Sequence, residues 1–443
     1  MSGAWIVGGA LRDELLGRPV RDVDIAVDGD PEHVARETAA QLRGPVFRLS
    51  EAFGAWRVID RRAGRIFDFS RLQGHTIEED LARRDFTVNA MARPREGGDL
   101  IDPFGGRADL EARTLRVLGA HAYESDPLRP LRLVRFVAEL GFSADRDTEN
   151  LTRAAAPRVA QAAGERVFAE LRRLVIADGV LEGLMLADRL DVLASVLPEL
   201  VALHSVEQSH YHHLDVYDHT LEVLRQLIEL ESGVSARLGS VLDEPLADEL
   251  TRGQALRFGA LLHDIGKPPT RDVREDGRVT FMRHDRVGAE MVRAVGRRLR
   301  TSERLSRFIE ALTRHHLVLG FLVHERPLDR RQVYRYLAHT SPVEVEVTML
   351  SCADRLATGG RNAERATEAH LELARELMDA ALEWREHGSP RLPLRGDELA
   401  AELGMAHGPE LGRLLSELEE AVYAGEACTR GEAVELARRL RSR

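Results

Sequence analysis

Cysteine is nearly absent from this chain: two residues, Cys352 and Cys428, among 443. Two thiols exclude a disulfide framework and a cysteine-only zinc site. Long apolar runs are absent too. With no stretch of about 18 apolar residues, no membrane span is expected, and the start "MSGAWIVGG" enters a strand-like segment without a signal-peptide pattern. A cytoplasmic chain with no membrane partner is the expectation. Basic charge is in deficit, with a net charge of -11, which argues against non-specific coating of nucleic acid. The arginines nevertheless cluster, as in "RPLRLVRF" and "RRLRTSERLSR". Short repeats and low-complexity tracts are missing as well, and the length calls for two to four domains.

What is present divides unevenly. "AWIVGG" and "RDVDIAV" read as strands, with "ALRDELLG" as a short helix between them closed by Gly17. "VFRLSEAFGAWRVIDRRAGRIFDFS" reads as further strands around a turn at Ala63-Gly64. Beyond about position 121 helices dominate. The fold class is α+β, a small mixed-sheet head followed by a mainly helical body. The expected divisions are a head over 1–120, a helical neck over 121–200, a third domain over 201–385 and a helical tail over 386–443.

In the strand "RDVDIAV", alternation puts Asp22 and Asp24 on one face and Val23, Ile25 and Val27 on the other. Two carboxylates about 7 Å apart along one strand face suit a hard divalent cation such as Mg²⁺, and "RIFDFS" offers a third, Asp68. An edge strand facing water would explain the pair equally well on spacing alone. Gly8-Gly9 precedes them at a strand-to-helix turn, where backbone amides can cradle phosphate, and Arg12 follows one turn later. Asp85 and Asn89, four residues apart, can share a helix face beside Arg84. Asp126-Pro127 reads as a helix start, Asp126 as its cap, with Arg129, Arg132 and Arg135 recurring along one side.

Taken together, "GGALRDELLG…RDVDIAV", "RRDFTVNAMA", "IDPFGGRADLEARTLRVLG", "SDPLRPLRLVRFVAELGF" and "GERVFAEL" resemble, in order, the head and neck motifs of the class II tRNA nucleotidyltransferases, members of the polymerase β superfamily. The resemblance implies that Asp22 and Asp24 hold Mg²⁺ with Asp68 assisting. It further implies that Gly8, Gly9, Arg12, Arg84, Asp85 and Asn89 bind triphosphate and ribose. Asp126 and Arg129 would read the base in place of a template, aided by Arg132 and Arg135. The implied reaction adds CMP to the 3′ end of tRNA from CTP, with ATP as the further substrate if the whole CCA end is made, and releases pyrophosphate. Two departures bear on which nucleotides are added. Ser125 stands where the family's base-reading motif has Glu, and the link between "FDFSR" and "RRDFT" is short. Members that complete CCA carry a longer segment there; CC-adding members lack it. The alternatives are an A-adding or poly(A)-polymerase-like enzyme, and an HD phosphohydrolase or RNA-binding protein with an inactive head.

In the body, "VYDHTLEVL", "GALLHDIGK" and "SCADRLA" supply His219, His263-Asp264 and Asp354. Imidazole and carboxylate together suit a divalent transition metal or Mg²⁺ rather than a thiolate zinc site. This series is similar to the HD phosphohydrolase domain, which implies metal-dependent attack on a phosphate ester. His284 and His315 are the expected ligands of a second metal, and Gly266 is read as the end of the "LLHDIGK" helix. The last stretch resembles the tail of long family members, with Gly408-Pro409 opening a helix toward RNA or forming a plain helical hairpin. Oligomeric state is not legible in the sequence.

Overall fold

The computed structural model describes residues 3–50, 54–208, 214–359 and 363–442. The chain divides into two compact units, Met1–Pro198 and Glu199–Arg443.

The first unit is built on a six-stranded mixed sheet: β1 (Ala4–Val7), β2 (Asp22–Val27), β3 (Val46–Ser50), β4 (Ala55–Asp60), β5 (Arg65–Arg71) and β6 (Ala92–Pro94). Their order across the sheet is β3-β4-β5-β2-β1-β6. Only the β2–β5 pairing is parallel, and it places Asp24 beside Asp68. Strand alternation sorts the side chains into two apolar layers. Val23, Ile25 and Val27 pack with Val34, Ala35, Val58 and Phe69, covered by the Pro31–Leu42 helix. That helix starts where Asp30 accepts from the Glu32 amide and Pro31 takes the first turn. Ala26 faces the other way, with Val7, Ile77, Leu81 and Ala92. Asp22 and Asp24 alternate with Val23 and Ile25, so both carboxylates emerge away from the helix-covered layer.

The helices Arg129–Leu140, Gly164–Ile176 and Val180–Arg189 follow in the same unit. The first ends at Gly141, whose φ of 66° is left-handed and favours glycine. Its start differs from the sequence expectation. Leu128 is the N-cap and Pro130 lies in the first turn, while Asp126 is extended and accepts from the Leu128 amide at 3.1 Å. Pro127 explains the shift, because the residue before a proline is pushed out of the helical region.

The second unit is helical apart from two short strand pairs. Five of its helices, Val216–Glu231, Arg252–Leu262, His284–Leu299, Glu303–His315 and Glu344–Ala357, surround one buried centre. Gly266 does not end a helix in the expected way. The Arg252–Leu262 helix stops earlier, with His263 as C-cap, and Gly266 has φ −79°. Glycine is required for another reason: a Cβ there would stand 2.2 Å from the His284 carbonyl oxygen and 2.6 Å from the Gly288 nitrogen. No helix among the described residues is long and apolar enough to cross a membrane.

Candidate active sites in the two units

A cavity of about 600 Å³ opens in the first unit. Its lining includes Gly8, Gly9, Arg12, Asp22, Asp24, Arg84, Asp85, Asn89, Asp126, Arg129, Arg132 and Arg135. The nucleotide-binding and β2 carboxylate residues singled out from the sequence therefore all line it, while Asp68, beside Asp24 on the next strand, and Ser125 are not in its lining.

The glycine turn is tight for a reason. Gly8 has φ +72°, and a Cβ there would lie 2.6 Å from Arg84 Nη1 and 3.7 Å from Asp24 Oδ2. Strand end, arginine and carboxylate thus converge on a point that only glycine leaves open. Burial lifts the Asp24 carboxyl above its ordinary range, and the charges of Asp68 and Asp22 add to the lift against the pull of Arg84. Neighbouring carboxylates that repel one another, two of them open on the cavity wall, are a donor set that fits a hard divalent cation.

A continuous chain of polar contacts runs round the cavity. Arg12 Nη1 donates to Asn89 Oδ1 at 2.8 Å, and Asn89 Nδ2 donates to Asp85 Oδ1 at 2.9 Å. Arg132 reaches the other Asp85 oxygen through Nε at 2.8 Å and Nη2 at 2.7 Å. Burial alone would raise the Asp85 carboxyl, but Arg132, Asn89 and the Phe86 amide outweigh it and hold Asp85 far below the usual carboxylate range. Asp85 is a fixed negative post. Arg135 is 1% exposed; it forms an ion pair with Glu170 at 2.6 Å, without hydrogen-bond alignment, and donates to Glu139 at 3.1 Å. Burial brings its pKa down to about 10 despite those two acids. The Phe136 ring lies under Arg135, Arg12 and Arg132, at 4.1, 4.9 and 5.5 Å.

Asp126 accepts from Arg166 Nη2 at 2.8 Å. Arg129 donates to the carbonyls of Arg83, Arg84 and Ala122 at 2.7, 3.0 and 2.9 Å. The Arg129–Leu140 helix is thereby braced against the backbone that carries Arg84 and Asp85. Ser125 turns back to the Ala122 carbonyl at 2.8 Å. Sequence reasoning overlooked Phe136, Arg166, Glu170 and Arg173. Phe136 was findable, as the aromatic inside the arginine stripe; the others lie on a helix whose docking no local pattern specifies.

In the second unit, two groups of donor atoms lie within 4.8 Å of one another: His219, His263 and Asp354, and Asp264, His284 and His316. Asp264 faces both groups. Its Oδ2 is 3.1 Å from His263 Nε2 and 3.9 Å from His219 Nε2, while its Oδ1 is 3.4 Å from His284 Nε2 and 3.8 Å from His316 Nε2. His263, His284 and His316 each tie Nδ1 to a backbone carbonyl at 2.7–2.8 Å. That bond directs Nε2 inward, the arrangement that orients imidazole toward a metal. His263 Nε2 and both Asp264 oxygens are buried without a well-aligned hydrogen bond. The donor set fits divalent cations.

His316 takes the place expected for His315. The Glu303–His315 helix ends there, and Thr313 O receives His316 Nδ1, turning that ring inward. His315 instead packs edge-on against His339, at 4.6 Å between centroids. Burial among other imidazoles brings the His316 pKa down to about 3, so its ring is neutral and able to ligate at ordinary pH. His316→Ala is expected to retain one Mn²⁺ fewer per chain than wild type, while His315→Ala retains as many as wild type; metal analysis after gel filtration reads the difference. Lys267, the single lysine of the sequence, lies 2.6 Å from Asp264 Oδ2 and donates to Gln208 at 2.7 Å.

Comparison with known proteins agrees along the whole chain. The family described as "Poly A polymerase head domain" matches residues 4–116, "Probable RNA and SrmB- binding site of polymerase A" matches 141–203, and "HD domain" matches 216–359. The A-adding tRNA nucleotidyltransferase of Deinococcus radiodurans is 38% identical, over 97% of this chain and 94% of that protein. The CC-adding tRNA nucleotidyltransferase of Thermus thermophilus is 36% identical, over 97% and 92%. Among solved structures, a CCA-adding enzyme complexed with ATP superposes with a TM-score of 0.68 at 21% identity, covering 98% of this chain and 90% of that one. At that identity the likeness speaks for the fold.

Proposed function

This chain belongs to the tRNA nucleotidyltransferase family of CC-, A- and CCA-adding enzymes, and from that premise we propose that its own product is two cytidylates, added from CTP to a tRNA 3′ end. The observation that carries the choice is the link from β5 to the Ile77–Leu81 helix, residues 72–76. No room exists in it for the longer segment that accompanies terminal adenylation.

Asp22 and Asp24 would hold Mg²⁺, which when bound neutralises charge on the attacking and leaving oxygens. The remaining work falls to the protein's own groups, as positioning and electrostatics. The turn at Gly8-Gly9 offers backbone amides to the triphosphate, and Arg12 and Arg84 add cationic donors beside it. Asp85, held ionised, and Asn89 stand where a ribose hydroxyl can be tested. Asp126 supplies an acceptor for the exocyclic amino group of cytosine, and Arg129 anchors the helix that presents it. An acceptor at that point is left unpaired by uracil.

A tRNA transcript lacking its CCA end, incubated with CTP, with ATP and with both, tests the reading at single-nucleotide resolution. Two cytidines with no adenosine is the expected product, and a transcript already ending in CC should remain unextended. Adenosine on the CC-ending transcript would refute the choice of nucleotide while leaving the family intact.

A second reading concerns the other unit. Two donor groups joined by Asp264, with three imidazoles already turned inward, support a phosphohydrolase centre for a divalent transition metal or Mg²⁺. Release of phosphate or ring-opening of a cyclic phosphodiester, abolished by Asp264→Ala and untouched by Asp24→Asn, would establish it.

A further inference from the structure

Arg57 has no part in the roles above. The hairpin joining β4 to β5 pairs Asp60 with Arg65, and this register sets Arg57 directly opposite Asp68. The parallel β2–β5 pairing sets Asp68 beside Asp24, and Val7 lies across from Asp24 on β1. One row across the sheet therefore reads Arg57, Asp68, Asp24, Val7. Arg57 Nε donates to Asp68 Oδ1 and Nη2 to Oδ2, both at 2.7 Å.

A guanidinium fork of this kind covers the edge of the carboxylate by which both oxygens would grip one cation. It leaves Asp68 the outer lone pairs, one oxygen at a time. Among the described residues no such fork holds Asp22 or Asp24, and both line the cavity. Three acids that look alike in sequence are thus unequal in the fold.

We infer that Arg57 is a positioning residue. It withholds Asp68 from two-oxygen chelation of metal and orients it as a hydrogen-bond acceptor for the terminal hydroxyl of the nucleic-acid primer. The inference rests on the transferase reading of this unit. The simpler alternative is a cross-strand ion pair with no kinetic role. Arg57 and Asp68 side chains are 31% and 27% exposed, and pairs that open to water stabilise a fold only slightly.

The test uses the full chain carrying Arg57→Met, Arg57→Lys, Asp68→Asn or Arg57→Met with Asp68→Asn. CMP addition to a tRNA transcript is measured with Mg²⁺, and Mn²⁺ binding without tRNA is followed by electron paramagnetic resonance on the same variants made in an Asp264→Ala background, which removes the donor centre of the second unit. For Arg57→Met, kcat should fall about tenfold or more with KM for CTP within about twofold of wild type. Mn²⁺ should bind more tightly, by about threefold or more, because a cation is gone and the chelating edge is free. Arg57→Lys restores the charge but not the fork, so Mn²⁺ affinity should return toward wild type while kcat stays low. The double variant should be no slower than Asp68→Asn. Unchanged kcat, unchanged or weaker Mn²⁺ binding in Arg57→Met, or losses that multiply in the double variant would overturn the assignment. Should wild type itself add no CMP, the transferase reading fails, and the Mn²⁺ measurement still decides whether Arg57 restrains Asp68. Arg57→Lys keeps the test open if the methionine variant folds poorly.

Discussion

Asparagine at position 24 should give a folded protein that adds cytidylate on the order of 10³-fold more slowly than wild type. The size follows from what the side chain does: with Asp22 it is one of the two β2 carboxylates on the cavity wall and the one whose charge the protein makes costly. Burial and the neighbouring Asp68 and Asp22 raise its carboxyl above the ordinary range, so the folded protein without metal gives up stability to keep it charged. Removing that charge should leave the melting temperature equal or higher. Arg84 is not stranded by the change, because Asp80 accepts its Nη2 at 3.2 Å. Thermal melts and single-turnover CMP addition measured together separate the outcomes. Lost activity with a raised or level melting temperature supports a metal-holding role, whereas a lower melting temperature would mean that Asp24 is structural. Asp22→Ala should likewise abolish addition with little loss of fold.

The second large effect concerns stability. Arg135→Met should destabilise the first unit by about 3–5 kcal/mol, the usual result of removing one partner from a buried charge pair. At the size of that unit this corresponds to a melting point lower by about 10 °C. Glu170 is 8% exposed and, among the described residues, would keep Arg132 at 3.6 Å as its cationic neighbour. Methionine fills similar volume, so the loss comes from the stranded acid rather than from a cavity. Adding Glu170→Met should therefore restore much of the melting temperature, since an apolar pair can replace a buried ionic one at little cost. If the double variant is less stable than Arg135→Met alone, Glu170 has a partner that matters more than Arg135.

How much of this was legible beforehand depends on what each feature needs. The strand alternation of Asp22 and Asp24 and the turn at Gly8-Gly9 are local, and both emerge as read. The cross-strand fork of Arg57 on Asp68 was not within reach. Counting outward from a turn at Ala63-Gly64 sets Ile59 opposite Asp68, whereas the observed pairing of Asp60 with Arg65 shifts the register by two and brings Arg57 there. Nor was the choice between His315 and His316. The two residues are chemically identical and adjacent, and which ring faces inward depends on where the Glu303–His315 helix stops against its neighbours. The N-cap assignment of Asp126 failed through competition between two prolines, one pushing Asp126 extended and the other seated in the first helical turn. Glu170 and Arg166 lie far along the chain from the groups they hold, and only packing brings them there.

A chain that uses arginine almost everywhere and lysine once offers a chemical handle. Among side chains, acylating reagents that attack amines have a single ε-amine to find, and it sits 2.6 Å from Asp264 at the histidine–aspartate centre of the second unit. Lys267 is 8% exposed, so its rate of acylation, separated from that of the α-amine by peptide mass mapping, becomes a clock for how often that centre opens. A bound ion or ligand that closes the centre would slow the clock, and screening could then proceed by mass spectrometry without knowing any substrate.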